Sequence, residues 1–486
     1  MNLASVTEQH DALAGLVADY AAQHRCPSIS WGIVSEGQVA VAGAVGTLDV
    51  EAPAPRTPTA DTVYRIASMT KSFTCAAILA LRDDGVLSLA DRIADIAPEL
   101  AAVTGPTADA APITVGDLMS MASGLATDDA WADRHLEISD DELDALVAQG
   151  VLFAHGPGTA YEYSNLGFGL LGRVVLRATG RTVQQHISER LLAPLHMTRS
   201  TWVQPHHDDW ARPHRVQDGA IIAEGTPLQG DGGMAPMGGL WTTVADLARW
   251  VHFLDEAFPP RDGADDGPLR RASRREMQRI HTFDGSRMLA GQRLTMGYGY
   301  GLRVGDSPTL GRIVTHAGGL PGYGSNMRWL SGRRLGAVAL ANGTYAPMSE
   351  LTMRMLMLLD HAGAAPAVSQ PLSFEVADAS AALVSLLGDW RDEKADERAN
   401  ERANAVFADN VAPDESFARR ADAARRLVDA CGGALEVLAI TPSSGAGATI
   451  DLAHPSGTPA RVRFELAPTR PLRVQWYEIT LPGNQA

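Results

Sequence analysis

The chain has 486 residues, 45% hydrophobic, 20% charged and 6% aromatic, a balance too apolar for a disordered chain and too polar for a membrane protein. Its formal charge of −16 sets 57 acidic against 41 basic residues, and no basic stretch carries interleaved stacking aromatics, which argues against a nucleic-acid partner. Three cysteines, Cys26, Cys75 and Cys431, lie far apart without C-x-x-C spacing, so neither a disulfide framework nor a zinc cluster is indicated and a reducing compartment fits.

In chain order, Leu13, Leu16, Val17 and Tyr20 recur at helical spacing and predict an amphipathic helix over residues 6–24. The start carries no basic segment followed by an apolar one, and no later apolar run approaches the ~18 residues needed to span a bilayer. We therefore expect a cytoplasmic protein without a membrane partner. Runs Ser28–Ser35 and Gln38–Val45 flank Glu36-Gly37, a two-residue hairpin turn. Val63–Ala67 reads as a strand feeding a helix that carries Ser68 and Lys71 and stops at Gly85.

Residues 86–200 are mostly helical in spacing, with capping boxes at Thr114/Asp117 and Ser139/Glu142. His206, His207, Asp208, Asp209 and His214 suit a solvated, Pro-bounded loop better than a metal site. Asp246 reads as the third residue of a capping box begun by Thr243, and Arg270, Arg271, Arg274, Arg275 and Arg279 as the solvated face of a helix. Strands return at Tyr298–Val304, Arg312–Thr315, Ser325–Leu330 and Leu335–Ala341, and a helix with a Met-rich core stretch, Ser349–Leu359, follows. Helices set between the early and late strands of one antiparallel sheet make residues 1–361 an α/β domain with an inserted all-α subdomain. Residues 362–373 have linker composition. Residues 374–486, with helices at 391–406 and 415–431 and four β-rich runs, form a small α+β domain.

Only two lysines occur, Lys71 and Lys394, against 39 arginines. Lys71 follows Ser68 by three residues, so both share one helix face. A serine hydroxyl is a weak nucleophile at its own pKa, and a buried lysine with a lowered pKa can take its proton. Arginine cannot. Lys394, among other charges, reads as a surface residue. Tyr163 and Asn165 follow a Gly156-Pro157-Gly158 turn and could offer one pocket a phenol and an amide. His316 leaves a strand into a glycine turn containing Gly318 and Gly319, where a substrate could lie along the strand edge.

Together these residues resemble the serine β-lactamase and penicillin-binding-protein-like hydrolases, in particular the branch with class C-like enzymes, esterases and D-aminopeptidases. S-x-x-K, Y-x-N and a third motif follow in the family's order at spacings of 95 and 153 residues. Ile113–Leu118, Ser123-Gly124-Leu125, Gly238–Thr243, Tyr298–Gly301 and Leu340–Gly343 match its secondary landmarks. The resemblance covers about residues 8–360 and implies a β-lactamase/transpeptidase-like fold without metal or organic cofactor. It also implies that Ser68 is acylated, that Lys71 is its proton partner, and that Tyr163 moves the leaving group's proton. By the same resemblance, Asn165, His316, Gly318 and Gly319 would bind substrate, with the N–H groups of Ser68 and Gly319 as oxyanion hole.

One departure bears on the substrate. Where β-lactamases of this branch carry K-T-G, this chain has His316-Ala317-Gly318, and a largely neutral imidazole replaces the fixed cation that grips a β-lactam carboxylate. The expected partner is therefore a small ester, amide or short peptide. A β-lactamase or DD-peptidase is the competing enzyme reading, and a catalytically silent ligand-binding relative the non-enzyme one. The sequence does not indicate an oligomeric state.

Overall fold

Glu36 and Gly37 both take positive φ, 47° and 85°, the geometry of a tight hairpin turn matched to strand twist. They join β1 (Ser28–Ser35) to β2 (Gln38–Gly46). Six further strands lie far along the chain: β3 (Thr282–Leu289), β4 (Gln292–Tyr298), β5 (Arg303–Ser307), β6 (Gly311–Leu320), β7 (Tyr323–Leu330) and β8 (Leu335–Ala341). They form one antiparallel sheet in the order β2-β1-β8-β7-β6-β5-β4-β3. The register sets Ile29 opposite Ala341 and Ser35 opposite Leu335, so the first strand sits inside the sheet beside the last. This is a computed structural model, and it describes residues 3–225, 230–366, 372–390 and 396–483.

Every residue of β1, β7 and β8 is buried, as expected of strands covered on both faces. Alternation along β8 divides two apolar layers. Ala337, Ala339 and Ala341 join Ile29, Trp31 and Ile33 under α1 (His10–His24), whereas Val338 and Leu340 face the other side. That second side packs on α4 (Val244–Asp255), behind which α2 (Thr70–Asp83) and α3 (Asn165–Thr179) extend the same apolar cluster. Helix α5 (Met348–His361) covers the first layer, with Met353 and Met355 fully buried. Helix α2 is buried from Thr70 to Leu81, so its polar groups need partners inside the protein. Ser72 donates to Met69 O (2.8 Å) and Thr74 to Pro236 O (2.8 Å). The buried serines of β1 are treated similarly, Ser28 and Ser30 lying 3.0 and 3.2 Å from the Tyr64 hydroxyl.

The helical region between β2 and β3 contains both expected capping boxes, Thr114/Asp117 and Ser139/Glu142. Several local expectations are corrected. The first helix is split into Leu3–Thr7 and His10–His24. The strand before Ser68 is only Tyr64–Arg65 and pairs with Trp241-Thr242 outside the main sheet. Thr243 accepts from Asp246 N, but the Asp246 carboxylate serves Arg199 N, Ser200 and Arg249 instead of closing a box. Arg271 and Arg274 are buried, not solvated. Arg274 lies 4.2 Å over the Phe253 ring and 3.1 Å from Glu256, partners 18 or more residues away that local spacing cannot reveal.

Contacts divide the chain into Met1–Ala367 and Val368–Ala486. The second unit holds α6 (Phe374–Asp389), α7 (Asp396–Val406) and α8 (Phe417–Ala430), then a meander of β9 (Val437–Ser444), β10 (Gly447–Leu452), β11 (Ala460–Leu466) and β12 (Val474–Thr480). Strand β11 alternates strictly, burying Ala460, Val462, Phe464 and Leu466 in a core with Trp390 and Phe407. Helix α6 was absent from the sequence expectation, which began the helices at residue 391. Lys394 lies outside the described residues. The architecture is thus an α/β, β-lactamase/transpeptidase-like unit with a large antiparallel sheet, plus a separate small α+β unit with a four-stranded sheet.

Candidate active site

Ser68 stands in a single turn of 3-10 helix, Ala67–Met69, that leads directly into α2. Ala67 holds φ at 47°, a left-handed conformation that costs a non-glycine residue of order 1 kcal/mol or more and is sustained only by its surroundings. The surroundings are the sheet. Ser325 of β7 donates to Ile66 O at 2.8 Å, and Gly318 of β6 lies so close that a Cβ there would come within 2.1 Å of the same oxygen. Glycine at 318 therefore lets the strand run against the turn that presents Ser68. This corrects the expected chain path: β6 continues through His316, Gly318 and Gly319 to Leu320, and the turn follows it.

One helical turn after Ser68, the Lys71 ammonium is fully buried and makes three hydrogen bonds. It donates to Ser68 Oγ (2.9 Å), Asn165 Oδ1 (2.6 Å) and Met237 O (2.8 Å). Its Nζ also lies 5.0 Å from the Tyr163 ring centre and 5.3 Å from that of Phe168. Burial lowers its pKa to about 8, opposed by the charges of Asp129, Asp128 and Asp133. About a tenth of the amine is thus neutral at pH 7, against well under a thousandth for an ordinary lysine, and the neutral amine can accept a proton along the contact to Ser68.

Burial pushes the Tyr163 phenol well above its ordinary range, partly offset by a hydrogen bond with Ser68. The group is therefore a protonated phenol beside the serine. Asn165 is the first residue of α3, whose N-cap is Ser164. Its amide is spent inside the protein: Oδ1 accepts from Lys71, and Nδ2 donates to Asp129 Oδ1 (2.7 Å) and Asp128 Oδ1 (3.2 Å). With 1% of its surface exposed, Asn165 holds Lys71 and is not among the residues lining the pocket.

His316 is buried beside this group. Tyr298 donates to its Nε2 at 2.8 Å, and its Nδ1 lies 2.6 Å from Ala317 O, which fixes the proton on Nδ1. Burial and the charge of Lys71 lower its pKa to about 3, so the ring is neutral and both nitrogens are engaged.

Ser68, Tyr163, His316, Gly318 and Gly319 line a pocket of about 380 Å³. Its other walls hold Asp129, Asp133, Arg303 and Tyr345, which the sequence reading did not single out. Arg303 of β5 pairs with Asp284 and donates to Tyr161 (2.6 Å). Tyr345 donates to Asp133 Oδ2 (2.8 Å), and its ring packs against Gly319. Asp129 opens and Asp133 ends the helical turn that follows the Ser123-Gly124 landmark, and Arg303 follows Tyr298–Gly301, so their nearness to landmarks was an available signal. Met237, whose main-chain O accepts from Lys71, directly precedes the Gly238–Thr243 landmark. Among the described residues no group of three or more His, Cys, Asp or Glu is placed to hold a metal ion, and no helix is long and apolar enough to cross a membrane.

Sheet, inserted helices and serine turn have the arrangement of the β-lactamase and penicillin-binding-protein type of fold. The family model described as beta-lactamase matches residues 13–362, and the chain belongs to that family. It is similar to Protein flp of Staphylococcus aureus (strain N315), with 30% identity over 241 residues, 47% of this chain and 45% of that protein. The chain thus spans less than half the length of that relative. It is also similar to the D-alanyl-D-alanine-carboxypeptidase/endopeptidase AmpH of Escherichia coli (strain K12), 27% identical over 300 residues, 60% of this chain and 73% of that one. Among solved structures, the octameric penicillin-binding protein homologue from Pyrococcus abyssi aligns with a TM-score of 0.62 at 20% identity, over 96% of this chain and 99% of that one. At that identity the likeness is one of fold.

Proposed function

We propose that the protein hydrolyses an ester or peptide-like amide through an acyl-enzyme on Ser68. The observation that carries this reading is the buried Lys71, held 2.9 Å from Ser68 Oγ and lowered to about 8. Ser68 Oγ attacks the substrate carbonyl and its proton passes to Lys71 Nζ. The N–H groups of Ser68 and Gly319 stabilise the oxyanion. Tyr163 gives its proton to the leaving group and regains one from Lys71, which is then neutral again; in the second step water attacks the acyl carbon while Lys71 takes one of its protons, and Lys71 passes that proton to Ser68 Oγ as the acyl bond breaks. The neutral, doubly engaged His316 offers no cation to a β-lactam carboxylate, which supports an ester or amide over a β-lactam. The similarity to the D-alanyl-D-alanine-carboxypeptidase/endopeptidase AmpH supports a DD-peptidase as the second reading.

A fluorophosphonate probe should label the wild type and leave Ser68→Ala unlabelled; equal labelling of both removes Ser68 from the mechanism. A panel of p-nitrophenyl esters, D-amino-acid amides and a chromogenic cephalosporin ranks the substrate classes, and fast turnover of the cephalosporin alone overturns the preference stated here.

The pH dependence follows from Lys71. Below about 8 the amine carries a proton and cannot take that of Ser68, so kcat/KM should fall roughly tenfold per pH unit on the acid side. His316, lowered to about 3, adds no limb near neutrality. A profile flat from pH 6 to pH 9 would contradict Lys71 as the base.

A further inference from the structure

The pocket around Ser68 has two ends along β6. Arg303 sits opposite Thr315 in the register of β5 and β6, and its guanidinium lies 5.8 Å from the Tyr163 ring centre. Tyr345 packs instead on Gly319, four residues further along the strand, about 13 Å at the rise of an extended chain. Both residues line the cavity that holds Ser68. Tyr163 and Arg303 therefore mark one end of it and Tyr345 the other.

Tyr345 is built as a wall. Its φ is 50°, a conformation its surroundings must sustain, and its N–H donates to Tyr323 O (3.2 Å) and Leu320 O (3.4 Å) at the end of β6. From there the side chain crosses to the helical turn Asp129–Ala132, where its hydroxyl donates to Asp133 Oδ2 at 2.8 Å, 212 residues away in the chain. A Cβ on Gly319 would come within 2.9 Å of the ring, so ring and strand are in contact. The preceding residue makes a second tie. Thr344 donates to Glu224 (2.9 Å), which lies 3.9 Å from Arg134, the neighbour of Asp133. Tyr345 is nevertheless 51% exposed. The wall is thus one ring thick, and a second cavity of about 300 Å³ shares Tyr345, Ala346 and Pro347 with the first.

We infer that the Tyr345 ring is the end wall for the acyl portion of the substrate and restricts turnover to short acyl chains. The inference rests on the roles of Ser68 and Tyr163 given above and adds to them a limit on the substrate. A leaving group that takes its proton from Tyr163 lies at the Tyr163 end. The chain on the other side of the carbonyl, whose oxygen is held by the Gly319 N–H, then points toward Tyr345. A longer chain meets a ring tied at both ends, and in a fixed pocket one surplus methylene is worth about 10–200-fold in kcat/KM. Removing the ring joins the pocket to the cavity behind it.

The test is a chain-length series. The p-nitrophenyl esters of acetate, butyrate, hexanoate and octanoate share one leaving group and are assayed with the full chain. In the wild type kcat/KM should fall by at least about tenfold from butyrate to octanoate, and Tyr345→Ala should reduce that fall by about tenfold. Tyr345→Phe, which keeps the ring and loses only the bond to Asp133, should retain it. Each ratio is taken within one preparation, so it does not depend on how much of a variant is folded. In a companion series the acetates of phenol, p-nitrophenol and naphthol vary the leaving group alone, and their spread should be the same in wild type and Tyr345→Ala. A level chain-length profile in the wild type, turnover of no ester, an unchanged fall in Tyr345→Ala, a fall lost equally in Tyr345→Phe, or an altered leaving-group spread overturns the inference. Fluorophosphonate labelling of Ser68, followed alongside, separates the two failures: labelling with a level profile removes the wall alone, and absence of labelling in the wild type removes the nucleophile as well.

Discussion

Lys71→Ala should slow covalent labelling of Ser68 by about three orders of magnitude or more, because a nucleophile and its base act as a unit. Lys71→Arg should be nearly as slow, and the comparison is informative. Arginine preserves a positive charge but stays protonated at any usable pH, so a residue needed only for its charge would tolerate the exchange and a base would not. Both variants also lose stability. Asn165 Oδ1 and Met237 O each accept from Lys71 in the interior, and an unmet buried acceptor costs about 1–3 kcal/mol. Labelling rates are therefore read at a temperature where circular dichroism shows each variant folded. A loss smaller than about tenfold in Lys71→Ala would make Tyr163 the sole base.

Gly318→Ala should reduce kcat by about a hundredfold with far less effect on secondary structure. Its Cβ would sit 2.1 Å from Ile66 O and 2.4 Å from Ser325 Oγ, so β6 and the turn of Ser68 must separate. A misplacement near 1 Å at a reacting group is worth about that factor, and overpacking of this kind costs about 1–3 kcal/mol. Gly15→Ala is the control. Gly15 is in α1, nothing lies within 4 Å of its would-be Cβ, and the exchange should add roughly 0.5–1 kcal/mol through helix propensity while leaving turnover alone. Unaltered turnover in Gly318→Ala would show that strand and turn need not touch in the reactive state.

Legibility in the sequence followed the range of the interactions. Strands such as Ser28–Ser35 and Leu335–Ala341 were readable because β-rich runs bounded by turn residues fix their own period, and the two capping boxes because they are complete within four residues. Ser68, Lys71 and Tyr163, singled out by type and spacing, do converge in space. Errors fell where a residue's partner is remote. Gly318-Gly319 reads as a turn because glycine usually marks one, whereas here Gly318 admits the backbone of residue 66 and Gly319 the ring of Tyr345. Arg274 was assigned to solvent because its spacing is helical, and Phe253 and Glu256 cover it. The bonds of Asn165 to Lys71 and two aspartates are likewise out of reach of local spacing, which shows only an amide beside a tyrosine. Asp129 and Asp133 look like ordinary loop acids until the fold places them in the wall of the pocket.

The position of β1 between β2 and β8 sets a schedule for the emerging polypeptide. Ser35 must wait for Leu335, its partner in the register, and at ribosomal speeds of roughly 5–20 residues per second that interval is about 15–60 s. For that time the hairpin of β1 and β2 has an open edge, and the turn of Ser68 has neither Gly318 nor Ser325 to brace it. The nascent chain is therefore both prone to association through that edge and chemically silent, and translation through β8 ends both conditions together.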